Sequence, residues 1–166
     1  MNDLNSRQAV FPGSFDPITD GHVSIIEKAS LIFDSVTVLL AENQNKKSYF
    51  SVEKRIKFIS DSVKYLPNVS VDYTSGFVTS YCEKNGIGTI IRSFRDMKDL
   101  SYEYELINQY KSMSEKISCV LFSSDLKYKD VSSTFIRTCI LEKNFCKIKE
   151  NVPEKVYKEI SSSCSN

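Results

Sequence analysis

The stretch AVFPGSFDPITDGH, residues 9–22, concentrates residue types suited to holding an anion. A short apolar run breaks at Pro12-Gly13, where glycine lets backbone approach a ligand closely, and Ser14 follows with a hydroxyl. Gly21 removes side-chain bulk just before His22, the chain's single histidine. A helix starting there directs free N–H groups, the positive end of its dipole and an imidazole into one space. That set donates hydrogen bonds to a phosphate oxygen. It is neither a GxxxxGK[ST] loop nor a GxGxxG loop, so the phosphate chemistry is of another type.

Other segments carry matching chemistry. TIIRSFR ends an apolar run with Arg92 and Arg95, and in DLSYEYELI the helical spacing puts Glu103 on the face shared with Asp99 and Tyr110. YKDVSSTFIR reads as a second helix entrance, where Ser132 or Ser133 caps and N–H groups stay free for an anion. GFVTSY, residues 76–81, reads as a glycine turn before a helix. Each segment alone has an ordinary structural reading; only a fold that brings them together makes a site.

The elements that must do so alternate. Ala9–Phe11, Val36–Ala41, Val69–Tyr73, Thr89–Arg92 and Cys119–Phe122 are strand candidates. Helical periods occupy Gly21–Phe33, capped by Asp20, then Val52–Leu66, Val78–Asn85 and Met97–Met113, with shorter helices at Ser133–Leu141 and after Pro153. This alternation predicts a doubly wound, Rossmann-like α/β domain: five parallel strands with helices on both faces. Ligands bind beyond the carboxyl ends of such strands, where Pro12–His22, Glu42–Tyr49, Gly76 and Arg92–Arg95 are expected to gather. One domain spans 1–166, with 1–7 and the serine-rich 161–166 expected to be flexible.

Composition narrows the function classes. The formal charge is +1, from 22 basic and 21 acidic residues, which excludes the broad basic face of a general nucleic-acid binder. The nine tyrosines and ten phenylalanines are not interleaved with a basic run, as a single-strand stacking platform requires. No apolar run approaches the roughly 20 residues of a membrane span, and Met1–Gln8 is polar, so a soluble, cytoplasmic protein is expected. Five cysteines without CxxC spacing read as reduced structural thiols, and no zinc site or other protein metal cage is predicted.

PGSFDPITDGH resembles the TxGH signature of the bacterial phosphopantetheine adenylyltransferases, within the HxGH nucleotidyltransferase superfamily. The resemblance continues through NKKSYF at 45–50, IIRSFRDMKDLSYEYEL at 90–106 and VSSTFIR at 131–137, in that family's order and spacing. Thr19 is the discriminating residue, because relatives that make NAD or CDP-linked products usually carry histidine there. KSMSEK at 111–116 only superficially suggests the KMSKS loop of aminoacyl-tRNA synthetases, since its residue order is wrong.

The resemblance implies that ATP and 4′-phosphopantetheine react to give dephospho-coenzyme A and pyrophosphate, with Mg²⁺ accompanying ATP. It implies a catalytic set of His22, Lys46, Ser14 and Arg92, of which Ser14, Lys46 and Arg92 hold the acceptor phosphate. Phe77 and Val78 then line the pantetheine arm. ATP falls to Ser14, Phe15, His22, Ser93, Phe94, Arg95 and Glu103, and to the run Tyr128, Lys129, Asp130, Val131, Ser132, Ser133 and Thr134. A hexamer built from two trimers and feedback by coenzyme A are implied in the same way. The chain departs from the family pattern at Ser93, which replaces a glycine, at Ser14, which replaces threonine, and at Tyr128, which replaces tryptophan. The competing readings are a nucleotidyltransferase acting on nicotinamide mononucleotide or glycerol phosphate, and an inactive nucleotide-binding regulator.

Overall fold

The computed structural model describes residues 4–42 and 47–163. Five strands, β1 (Asn5–Gly13), β2 (Ser35–Ala41), β3 (Val69–Thr74), β4 (Ile87–Phe94) and β5 (Ser118–Ser123), form one sheet in the order β3-β2-β1-β4-β5. Every neighbouring pair is parallel. The helices are α1 (Asp20–Ser30), α2 (Val52–Val63), α3 (Val78–Asn85), α4 (Met97–Met113), α5 (Ser133–Leu141), α6 (Phe145–Lys149) and α7 (Glu154–Ser163). This is the expected doubly wound architecture.

Side-chain alternation along the central strands explains the two layers. Ala9, Phe11, Val36, Val38, Leu40 and Ile91 enter one core with Ile26 of α1, Phe58 of α2, Ile136 of α5 and Val156 and Ile160 of α7. Val10, Leu39 and Ile90 point the other way, to Cys82 of α3 and Ile117, with Tyr110 of α4 packed alongside. Burial on that second face pushes the Cys82 thiol up to about 12, so it stays protonated.

Several boundaries differ from those expected, each for a physical reason. α1 ends at Ser30 because the chain tightens there, with the N–H groups of Ile32 and Phe33 both donating to the Ala29 carbonyl. α2 stops at Val63 because Leu66 precedes Pro67, a position that disfavours helix. β1 starts at Asn5, pairing backbone with Ile87 while its side chains stay exposed and so carry no periodic signal. α6 and a 3₁₀ turn at Leu126–Tyr128 are too short to leave a period. Asn5–Arg7 belong to β1 and Ser161–Ser163 to α7.

Ile160 is 1% exposed and sits in the main core, so α7 is part of the fold rather than a tail. Ile160→Ala is expected to lower stability by roughly 2–5 kcal/mol in urea unfolding, as a buried aliphatic truncation does.

Candidate active site

The turn that follows β1 is held by its carbonyls. Arg92 Nη1 donates to Pro12 O at 3.1 Å, Arg55 Nη1 to Ser14 O at 3.1 Å, Arg137 Nη1 to Asp16 O at 2.7 Å and Ser133 Oγ to Pro17 O at 2.8 Å. The Asp16 carboxylate, 6% exposed, accepts the N–H groups of Tyr49 and Phe50 at 2.8 and 2.9 Å, tying the turn to the approach of α2. These ties hold Phe15 in the left-handed region, φ 43°, which costs a bulky residue on the order of 1–3 kcal/mol. Its ring folds back onto Phe11 and His22, with centroids 5.7 and 5.2 Å away. Gly13 permits this, because a Cβ there would stand 2.9 Å from the Phe15 ring.

His22 occupies the first turn of α1, and Thr19, not Asp20, is the cap. The Thr19 N–H donates to His22 Nδ1 at 3.1 Å, and the Thr19 hydroxyl lies 2.9 Å from the same nitrogen. A nitrogen that accepts a backbone N–H carries no proton, so the imidazole is neutral and its hydrogen is on Nε2. Burial first, and then the positive Arg95, push its pKa down to about 4. His22 is therefore a fixed hydrogen-bond donor near neutral pH.

The opposite wall consists of two cations, each matched to a carboxylate. Glu103, 7% exposed, grips Arg92 with both oxygens, at 2.6 Å to Nε and 2.9 Å to Nη2. Burial opposes the Arg92 charge, but Glu103 more than offsets it, so the guanidinium pKa lies above its ordinary value. Arg95 is bound by Asp99 at 2.7 Å through Nε and reaches Val131 O at 3.4 Å. The third wall is anchored by Asp125, which accepts from Ser24 at 2.8 Å and Lys28 at 2.6 Å and so sets the following 3₁₀ turn beside α1. That turn carries Tyr128 to Gly21, and Ser132 caps α5 by accepting from the Phe135 N–H at 3.0 Å.

These walls enclose a cavity of about 350 Å³ at the carboxyl ends of β1 and β4. Of the residues singled out in the sequence, Ser14, Phe15, His22, Arg92, Ser93, Arg95, Glu103, Tyr128, Val131, Ser132 and Ser133 line it. Phe94 does not line it; its carbonyl accepts the Ser124 N–H at 2.9 Å. Lys129, Asp130 and Thr134 lie on the exposed side of their segment. Phe77 lines a separate groove beside β3 with Gly76 and Tyr81, and Val78 packs into the second core, so the Gly76 segment does not join the cavity walls. Lys46 lies outside the described residues. Sequence reasoning missed Tyr102 and Ser124 as lining residues and the roles of Arg55 and Arg137 behind the turn. Helical spacing from Glu103 offered a signal only for Asp99. Among the described residues, no group of three or more His, Cys, Asp or Glu is placed to hold a metal ion.

Two measurements check this geometry. With one histidine in the chain, an NMR titration of the substrate-free protein is expected to show the Nε2–H tautomer and an apparent pKa well below 5. A value above 6 would remove the neutral-donor description. The unfolded chain takes up this proton near pH 6.5 and the folded chain only near 4, so stability is expected to fall as pH drops through that window. Separately, a Cβ at Gly21 would meet Tyr128 at 3.4 Å and Thr19 at 3.6 Å, both ordinary contacts. Gly21→Ala is thus expected to unfold at the same urea midpoint or a higher one while losing activity, because its methyl enters the cavity.

The cytidylyltransferase-like family model matches residues 10–139. Phosphopantetheine adenylyltransferases of Dictyoglomus thermophilum and Dictyoglomus turgidum are each 40% identical over 130 residues, covering 78% of this chain and 79% and 81% of theirs. The fold is shared with the Plasmodium falciparum nicotinic acid mononucleotide adenylyltransferase solved with NaAD: TM-score 0.66 at 16% identity, over 94% of this chain and 95% of that one. Family model and curated relatives agree, and the chain, with its cavity of hydrogen-bond donors around His22, belongs to the phosphopantetheine adenylyltransferases.

Proposed function

We propose that this cavity holds ATP and 4′-phosphopantetheine together and directs an oxygen of the acceptor phosphate at the α-phosphorus of ATP. The new P–O bond forms in line with the departing bridge oxygen, pyrophosphate leaves, and dephospho-coenzyme A remains. No proton has to move and no enzyme-bound intermediate is needed, so positioning and charge neutralisation carry the reaction. The observation that carries this reading is the neutral, Thr19-locked imidazole of His22 facing a cavity lined by Ser14, Arg92 and Arg95.

The residue roles follow from chemistry and from the family resemblance. His22 Nε2–H donates to an α-phosphate oxygen as negative charge shifts in the transition state. Ser14 and Arg92 hold the acceptor phosphate with Lys46, and Glu103 fixes the orientation of the Arg92 fork. Because Arg92 and Arg95 are each paired with a carboxylate, Lys46 supplies positive charge that those two do not. Arg95, Ser132, Ser133 and the start of α5 take the triphosphate, with Ser93 and Tyr128 along the nucleotide. Mg²⁺ would enter with ATP and offset triphosphate charge, while Glu103 and Asp99 stay with the two arginines. Phe77, in the groove beside β3, is left for the pantetheine arm beyond the cavity, while Val78 packs into the second core.

No helix among the described residues is long and apolar enough to cross a membrane. A cytoplasmic enzyme is the reading that fits this family. Oligomer formation, as a hexamer of two trimers, follows from the family resemblance, and Met97 and Tyr104, exposed on one side of α4, offer apolar surface for a subunit contact. Coenzyme A, which contains both the adenylyl and pantetheine parts, would occupy the same site as a feedback ligand.

Pyrophosphate release with each candidate acceptor tests the reading. Turnover with 4′-phosphopantetheine and little with nicotinamide mononucleotide or glycerol phosphate is expected; the reverse preference would overturn it. His22→Ala is expected to reduce kcat by roughly two to four orders of magnitude with ATP binding nearly intact. His22→Asn or His22→Gln, which still donate, should recover part of that loss. Sedimentation of the wild type is expected to give several times the 19.0 kDa chain mass.

A further inference from the structure

Arg55 is 1% exposed, yet its Nε has no hydrogen-bond partner among the described residues. Its ion pair is long, Nη2 standing 3.4 Å from Glu42 Oε1, and Glu42 is also engaged by the Tyr73 hydroxyl at 2.7 Å. A buried guanidinium so incompletely matched is a poor stabilising device; an apolar side chain of similar volume commonly serves a core as well or better. What Arg55 does firmly is hold Ser14 O at 3.1 Å. Arg137 likewise meets the backbone of Asp16 at 2.7 Å, closer than the 3.8 Å to the Asp16 carboxylate. Neither arginine lines the cavity.

We propose that Arg55 and Arg137 are positioning residues for adenylyl transfer, acting through the turn Ser14–Pro17, an inference that rests on the function proposed above. In a trans peptide the carbonyl and the following N–H point in opposite directions. Holding Ser14 O toward Arg55, behind the turn, therefore aims the Phe15 N–H at the cavity, and no acceptor among the described residues meets that N–H. Arg137 secures the Asp16 carbonyl, one residue beyond Phe15, so the turn is held on both sides of the residue in the left-handed conformation. The Phe15 ring, packed on His22, transmits the setting of the turn to the imidazole.

The test uses Arg55→Met, Arg137→Met and Arg55→Lys, each followed by turnover, urea unfolding and the ring resonances of the single histidine. Both methionine variants are expected to fold and to lose roughly 10- to 100-fold in kcat, the effect of a small displacement at the reacting centre, with KM for ATP little changed. Their His22 resonances should shift even without substrate. Arg55→Lys keeps one donor for Ser14 O and should recover part of the loss. Wild-type kcat in the folded methionine variants, or a lowered kcat with His22 resonances unmoved, overturns the proposal. If Arg55→Met does not fold, Arg137→Met, on a side chain 30% exposed, and Arg55→Lys decide by the same criteria. Failure of the wild type to turn over 4′-phosphopantetheine would count against the adenylyl-transfer reading instead, because the His22 resonances report on the turn without any reaction.

Discussion

Four carbonyls at the end of β1 and in the turn after it, those of Pro12, Ser14, Asp16 and Pro17, are held by three arginines and a serine. These donors come from β4, α2 and α5, so the turn after β1 is where most of the layers meet. At Ser14 this has a direct consequence: a carbonyl held on one side of a trans peptide turns the following N–H, that of Phe15, to the other side. The same contacts over-determine a conformation that Phe15 would not adopt unaided, which is how local strain persists at a functional site. The sheet, with strands buried on both faces, is the rigid body against which this arrangement is held.

Around that turn the charges are arranged to be strong locally and small in sum. Arg92 with Glu103 and Arg95 with Asp99 are fixed donors whose forks are held by carboxylates, and His22 is kept neutral by a backbone N–H on Nδ1. A cavity built in this way offers directional donors to phosphate without a large positive field. That agrees with a formal charge of +1 for the whole chain. An adenylyl transfer needs no general base, and this site has its histidine held as a neutral donor.

The departures from the family pattern are absorbed locally. Ser14 keeps a hydroxyl at the cavity, and Tyr128 keeps an aromatic face beside Gly21. Ser93 places a side chain where the family has glycine, and it lines the cavity next to Arg92. Glu42, half-buried beside Tyr73, joins Arg55 in a network that reaches the Ser14 carbonyl only through the folded chain.

Much was already determined by sequence alone. Apolar periodicity set the five strands and the main helices, because burial on both faces of a sheet, or on one face of a helix, writes a repeat into the chain. Gly13, Ser14, Gly21 and His22 marked out one cavity wall, since their types and spacing act locally around a single helix start. The tertiary structure alone decided which donors hold which acceptors: that Glu103 serves Arg92, that Thr19 and not Asp20 caps α1 and sets the His22 tautomer, and that Phe15 is a wedge at positive φ. It also placed Phe77 in a separate groove and put Arg55 and Arg137 behind the turn. The reason is physical: a periodic signal records which face of an element is buried, not which polar groups pair, and partners on separate elements, such as Arg55 with Ser14 and Arg137 with Asp16, meet only after the crossovers have closed the sheet.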